Sequence, residues 1–112
     1  MQISEFSPYQ NFVFAPKSKD VKRQYPAMLS RFFDFIHVEG ETLEEKCKIF
    51  HDFARKMENR RILESQIMSY ISFQEERVKI KKEITAGTLR NYIKALKLFL
   101  TMNVISVDNN VN

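Results

Sequence analysis

The stretch K-I-K-K-E-I-T-A-G-T-L-R-N-Y-I-K-A-L-K-L-F-L-T-M, Lys79 to Met102, decides the fold. A lysine-rich approach, Lys79, Lys81 and Lys82, leads into a segment whose apolar residues Leu89, Tyr92, Ile93, Leu96, Phe99 and Leu100 recur at helical spacing. At about 100° per residue these positions cover roughly a third of a helix, while Arg90, Lys94, Lys97 and Thr101 stack on the opposite side with Asn91 on the flank. One face buries and the other offers cations. A bundle helix that also lies along a phosphate backbone needs that arrangement.

Working outward, Thr85 or Gly87 starts this helix and Asn103 stops it, leaving residues 104–112 as a polar tail. Upstream, Leu63, Ile67, Tyr70, Ile71 and Val78 form a stripe that runs to about Ile80, behind a polar break at Glu58 to Arg61. Thr42 followed by Glu45 has the capping-box pattern ahead of Leu43, Cys47, Phe50, Ala54 and Met57, and Gly40 separates that helix from the one before. The earlier helix takes Ser18 as N-cap and carries Val21, Tyr25, Met28, Leu29, Phe32 and Ile36 to about His37. Pro26 inside it implies a kink, or a regular helix that begins only near Tyr25. Residues 1–16 are aromatic but aperiodic, and Pro8 and Pro16 break the pattern, so an extended or flexible arm is expected there. The core domain is therefore expected over 17–103.

A chain of 112 residues suits one domain with a modest core, and only two glycines argue against a sandwich of many tight turns. The expected class is all-α, a single small bundle of four to five helices. No internal repeat or low-complexity segment occurs.

The net charge of +4 is sorted rather than spread: Lys17 to Arg31 is basic, Glu39 to Glu45 acidic, and Arg77 to Lys97 basic again. With a pI near 9.3 the chain favours an acidic partner. The single cysteine, Cys47, has no internal disulfide partner and falls on an apolar helix face, which fits a buried small hydrophobe and a reducing cytoplasm. The sequence has no leader pattern and no stretch near the roughly 18 apolar residues of a membrane span. An intracellular protein without a membrane partner is the expectation.

Catalytic constellations are not apparent. His37 and His51 stand outside metal-ligand spacings, no second cysteine is available for zinc, and no glycine-rich phosphate loop occurs. The carboxylate pairs Glu44, Glu45 and Glu75, Glu76 read as solvated helix faces. No cofactor, metal, small-molecule substrate or enzymatic activity is expected. The basic stripe reads either as solvated surface or as a binding face, and the scarcity of acids at i±3 and i±4 from Arg90, Lys94 and Lys97 favours the second. Tyr70 and Tyr92 read as core aromatics, and Leu98 projects near the polar flank. A membrane-surface role would require lipid to face the stripe that packs the core.

Two strings carry a family likeness. S-K-D-V-K-R-Q-Y-P-A-M-L-S-R-F-F, with Ser18, Tyr25, Leu29, Phe32 and Phe33, and T-A-G-T-L-R-N-Y-I-K-A-L-K-L-F, with Thr88, Asn91, Leu96 and Phe99, resemble the opening and closing helices of one module. That module is the N-terminal SAM-like core-binding domain of tyrosine recombinases and phage integrases, archaeal members included. The likeness spans roughly Lys17 to Asn103.

The resemblance implies a helical module that clamps one face of duplex DNA while a separate catalytic domain clamps the other. The matching contact residues are Thr88, Arg90, Asn91, Lys94 and Lys97, flanked by Lys79, Lys81, Lys82, Lys19 and Arg23. Most would position rather than specify, and Arg90 and Asn91 carry the forked groups suited to base edges. The family's arginine pair, histidine-containing motif and tyrosine nucleophile lie in a C-terminal domain, and this chain ends at Asn112 before any of it. The implied partners are duplex DNA and a recombinase catalytic domain or full-length integrase, with no strand cleavage by this chain. It reads as a piece of a longer integrase or as a standalone binding half. The competing expectation is a helical protein-interaction module that docks an acidic partner.

Overall fold

A computed structural model of the chain describes residues 6–105. Among them are five α-helices and no strand: α1 Pro8–Val13, α2 Lys19–Phe35, α3 Leu43–Ala54, α4 Arg60–Lys79 and α5 Ala86–Met102, with a 3-10 turn at Met57–Asn59 before α4. The all-helical bundle expected from the periodicity is the observed architecture.

The N-terminal arm is the main correction. Residues 1–5 lie outside the described residues, but Pro8 begins a helix rather than breaking one. Proline's missing N–H costs nothing at the first helical position, and its fixed φ suits the turn. The Ser7 hydroxyl accepts from the Gln10 amide at 3.2 Å while the Gln10 side-chain oxygen accepts from the Ser7 amide at 3.0 Å. This capping box closes a six-residue helix that places Phe12 in the core at 0% exposure. Phe14, on the other side, stays exposed against Phe6.

α2 starts at Lys19 behind the Ser18 cap and runs unbroken through Pro26, so the late start near Tyr25 does not occur. The Lys22 carbonyl loses its usual partner at Pro26, and Lys22 is exposed enough for water to serve it. Pro26→Ala should therefore restore one helical bond, and the interior proline penalty less its unfolded-state benefit predicts a gain of about 2 kcal/mol. Thermal denaturation followed by circular dichroism checks this, and an unchanged or lower midpoint would contradict it.

The Thr42 and Glu45 capping box opens α3, with the Thr42 hydroxyl accepting from the Glu45 amide at 3.1 Å and the Glu45 carboxylate accepting from the Thr42 amide at 3.1 Å. Thr85 caps α5 and Asn103 ends it, both as expected. Asn103 does more than stop the helix. Its buried amide donates to the Phe99 carbonyl at 3.0 Å and the Pro8 carbonyl at 3.1 Å, and its oxygen accepts from the Asn11 amide group at 3.0 Å. One side chain thus pins α1 to the end of α5. The expected polar tail does not start at 104, because Ile105 is buried and its N–H donates to the Leu100 carbonyl at 2.8 Å. The remainder, 106–112, lies outside the described residues.

α5 packs against α1, α2 and α4. Its Phe99 ring meets Phe12 at 5.9 Å, Phe33 at 5.8 Å and Phe50 at 6.0 Å between centroids, joining three helices at one point. Phe32, Tyr70 and Leu63 continue the core toward α4. Cys47 is fully buried in it, as its place on the apolar face of α3 implies.

Burial, helped by the Glu44 carboxylate, pushes the Cys47 thiol from its ordinary 9.0 up to about 12. The folded state therefore holds a proton that the unfolded chain releases from about pH 9 upward, so this contribution to stability is complete below pH 9 and lost as pH climbs toward 12. Denaturant melts should show stability falling above pH 9, and Cys47→Ala should flatten that fall. An equally steep fall in Cys47→Ala would assign the alkaline loss elsewhere.

Candidate nucleic-acid interface

With three helices packed on it, α5 keeps one side for solvent. Tyr92, Ala95, Leu96, Phe99 and Leu100 are buried, while Arg90, Asn91, Lys94, Lys97 and Thr101 are exposed. The two-sided reading holds at these positions. Leu98 departs from it, being half-buried against the core rather than free on the polar flank. No carboxylate occurs in the 17 residues of α5. Among the described residues Arg90 and Lys94 enter no ion pair, whereas Lys97 is engaged and is not counted with them.

The first turn of α5 has no acid to offset the positive end of the helix dipole. The Arg90 guanidinium lies alongside this turn, since a Cβ on Gly87 would sit 3.7 Å from Arg90 Nη2. Thr88 is placed differently from the expectation. Its hydroxyl lies 3.1 Å from the Thr85 hydroxyl and its N–H donates to the same oxygen at 3.1 Å, so the half-buried side chain serves the cap.

Lys79 ends α4 and Lys81 and Lys82 lie in the connection to α5, all exposed. The connection folds back on α4: the Glu83 amide donates to the Arg77 carbonyl at 2.7 Å, and the Glu83 carboxylate accepts from Arg77 Nε at 2.9 Å. Lys82 adopts a positive φ of 53° at this reversal, and Lys81 meets Glu76 at 3.8 Å. Chain continuity brings Lys82 and the first turn of α5 to one end of the molecule. Lys19 and Arg23 are not joined to that end by any hydrogen bond, ion pair or ring contact among the described residues. Arg23 pairs within its own helix, with Asp20 at 3.5 Å.

Two cations converge on α5 that the sequence reading did not single out. The Arg31 guanidinium of α2 stands 6.0 Å from the centre of the Tyr92 ring. Arg77 of α4 donates to the Gln74 side-chain oxygen at 3.0 Å as well as to Glu83, and the Glu83 hydrogen bond raises its pKa further above the ordinary range. Burial pushes the neighbouring Tyr70 phenol up to about 12. The signal for Gln74 and Arg77 was their spacing, since Leu63, Ile67, Tyr70, Gln74 and Arg77 continue a single stripe. Tyr70 and Tyr92 are both buried, as expected of core aromatics.

No protein-family model matches this chain, and comparison with curated proteins and with solved structures returned no match. The function is therefore argued from the face itself. Among the described residues no three His, Cys, Asp or Glu side chains gather to hold a metal, and no helix is long and apolar enough to cross a membrane. The exposed side of α5 offers guanidinium and ammonium groups, one carboxamide and an uncompensated helix start. That chemistry suits a row of oxyanions.

Proposed function

We propose that this chain is a duplex-DNA-binding module of a tyrosine recombinase or integrase system, which lays the exposed side of α5 along the phosphate backbone. The observation that carries the reading is a helix without carboxylates whose outer side holds Arg90 and Lys94 unpaired among the described residues. Unpaired cations displace the counterions condensed on DNA without first breaking a bond of their own, so each contributes its full share to binding.

The division of labour follows from side-chain chemistry. Lys94, with Lys82 near the helix start, meets phosphates as point charges, and the first turn of α5 adds its dipole. Arg90 and Asn91, neighbours with forked donor groups, are the groups for base edges. Lys97 lies on the same side, while Lys19 and Arg23 make a secondary, longer-range contribution. The recombinase assignment rests on the two family-like strings, and the role assigned to this chain is binding alone.

Fluorescence anisotropy of a labelled duplex over a series of salt concentrations tests the reading, with heparin as the competing polyanion. Three or four phosphate contacts predict a log–log salt slope of about −3, with duplex preferred to heparin of equal charge. Absence of binding at low salt, or equal preference for heparin, would remove DNA as the partner.

A further inference from the structure

A hollow of about 190 Å³ lies where the α3–α4 junction meets the residues that follow α5. Arg55, Lys56 and Arg60 line it, and no acid does. Of its apolar lining, Ala54 and Ile105 are buried, whereas Met57 and Val104 are 82% and 89% exposed. The chain reversal after α5 supplies one wall, with Val104 at a φ of 55° and the Ile105 N–H on the Leu100 carbonyl.

The lining itself fixes the sign of the charge this hollow takes. Three cations within six positions disfavour one another's charged form unless something negative stands among them. Other cations of the chain have such an acid: Arg23 has Asp20, Lys46 has Asp34 and Arg77 has Glu83. Arg55, Lys56 and Arg60 enter no ion pair among the described residues, and Glu58, the one acid between them in sequence, does not line the hollow. The 20-residue α4 adds to the field, because it starts at Arg60 and has neither an acid in its first turn nor a capping side chain to offset its positive end. Two guanidinium forks and an ammonium group match the oxygens of a phosphate.

Size and charge narrow the ligand further. A volume of about 190 Å³ is roughly six water molecules' share of the liquid, room for one tetrahedral oxyanion with a small organic substituent. Three cations suit a group with more than one negative charge. A phosphomonoester carries about −1.5 to −2 at neutral pH, whereas a carboxylate or a backbone phosphodiester brings a single charge. We infer that this hollow is a binding site for a phosphomonoester. Its oxygens accept from Arg55, Lys56 and Arg60, and its organic part covers Met57 and Val104. No residue of α5 lines the hollow, so the inference stands apart from the proposed DNA face.

The test titrates phenyl phosphate into the ¹⁵N-labelled full chain. Saturable amide shifts are expected at positions 55–60 and at Val104 and Ile105, with inorganic phosphate moving the same amides at higher concentration. Methyl phenyl phosphate, the singly charged diester, should bind about tenfold more weakly, the worth of one charge-assisted hydrogen bond. Arg55→Gln and Arg60→Gln should each weaken phenyl phosphate about tenfold for the same reason. Helical circular dichroism should not change, because both side chains are exposed. No saturable shifts, shifts centred on α5, or equal binding of the diester would each overturn the inference. So would a loss of duplex affinity in both variants as large as their loss of phenyl phosphate, which would give the hollow to the DNA backbone. Duplex binding is measured on the same variants, so a failure of the DNA reading with the phenyl phosphate shifts intact is read separately.

Discussion

Phe99→Ala should cost about 3–5 kcal/mol, within the range measured for truncating a large buried aromatic side chain. A chain of this length is expected to have roughly 5–15 kcal/mol of stability in all, so the variant should sit near the edge of folding. The thermal midpoint should fall by roughly 15 °C or more. The reason is position as much as size. Phe99 is wholly buried and its ring meets Phe12 of α1, Phe33 of α2 and Phe50 of α3. Each aromatic pair adds about 0.5–1.5 kcal/mol beyond burial, and the cavity left by alanine is walled by three helices that cannot all move in. Phe14→Ala is the control, because Phe14 is exposed and its ring partner is the equally exposed Phe6. It should change stability by no more than about 0.5 kcal/mol. A loss below about 1 kcal/mol for Phe99→Ala would mean that the helices are not joined at this ring.

The same ring shows how far the sequence can be read. Phe99 belongs to the apolar stripe of α5, and that stripe, with the caps at Ser18, Thr42, Thr85 and Asn103, was enough to place four helices. Caps and periodicity are local, and local chemistry is legible. α1 was missed because six residues make less than two turns, too few for a stripe, although Ser7, Pro8 and Gln10 already spelled its capping box. What Phe12 packs against is a long-range fact that no local pattern encodes. The same holds for Asn103, legible as a helix stop but not as the clamp on Pro8 and Asn11.

The candidate face divides in the same manner. The exposure of Arg90, Asn91, Lys94 and Lys97 followed from their phase on the helix. Whether a cation is already paired did not. Arg23 and Lys81 have partners at 3.5 and 3.8 Å, Thr88 is taken up by its cap and Lys97 is engaged, so four of the ten expected contacts are partly spent. Arg31 reaches Tyr92 only because α2 is brought to α5, whereas Arg77 meets Gln74 three residues away on α4 itself. Gln74 shares the spacing of the buried stripe of α4, so its place was open to the sequence although its polar side chain does not mark it as apolar.

Those differences make the face testable by charge reversal. The double variant Arg90→Glu, Lys94→Glu should weaken duplex DNA on the order of 100-fold at low salt, reduce the magnitude of the log–log salt slope by about 1 for the phosphate contact of Lys94, and relax base preference through the loss of Arg90. Its fold should be intact, because both side chains are exposed and neither enters an ion pair among the described residues. The cost to stability should stay within about 0.5 kcal/mol, the range of surface substitutions and of one like-charge pair at i, i+4. The matching reversal of Lys19 and Arg23 should have a smaller effect, since Arg23 already serves Asp20. Anisotropy on the two variants then ranks the helices. If the α5 variant binds as wild type does, the stripe is solvated surface, and if the α2 variant loses more, the backbone runs along α2 instead.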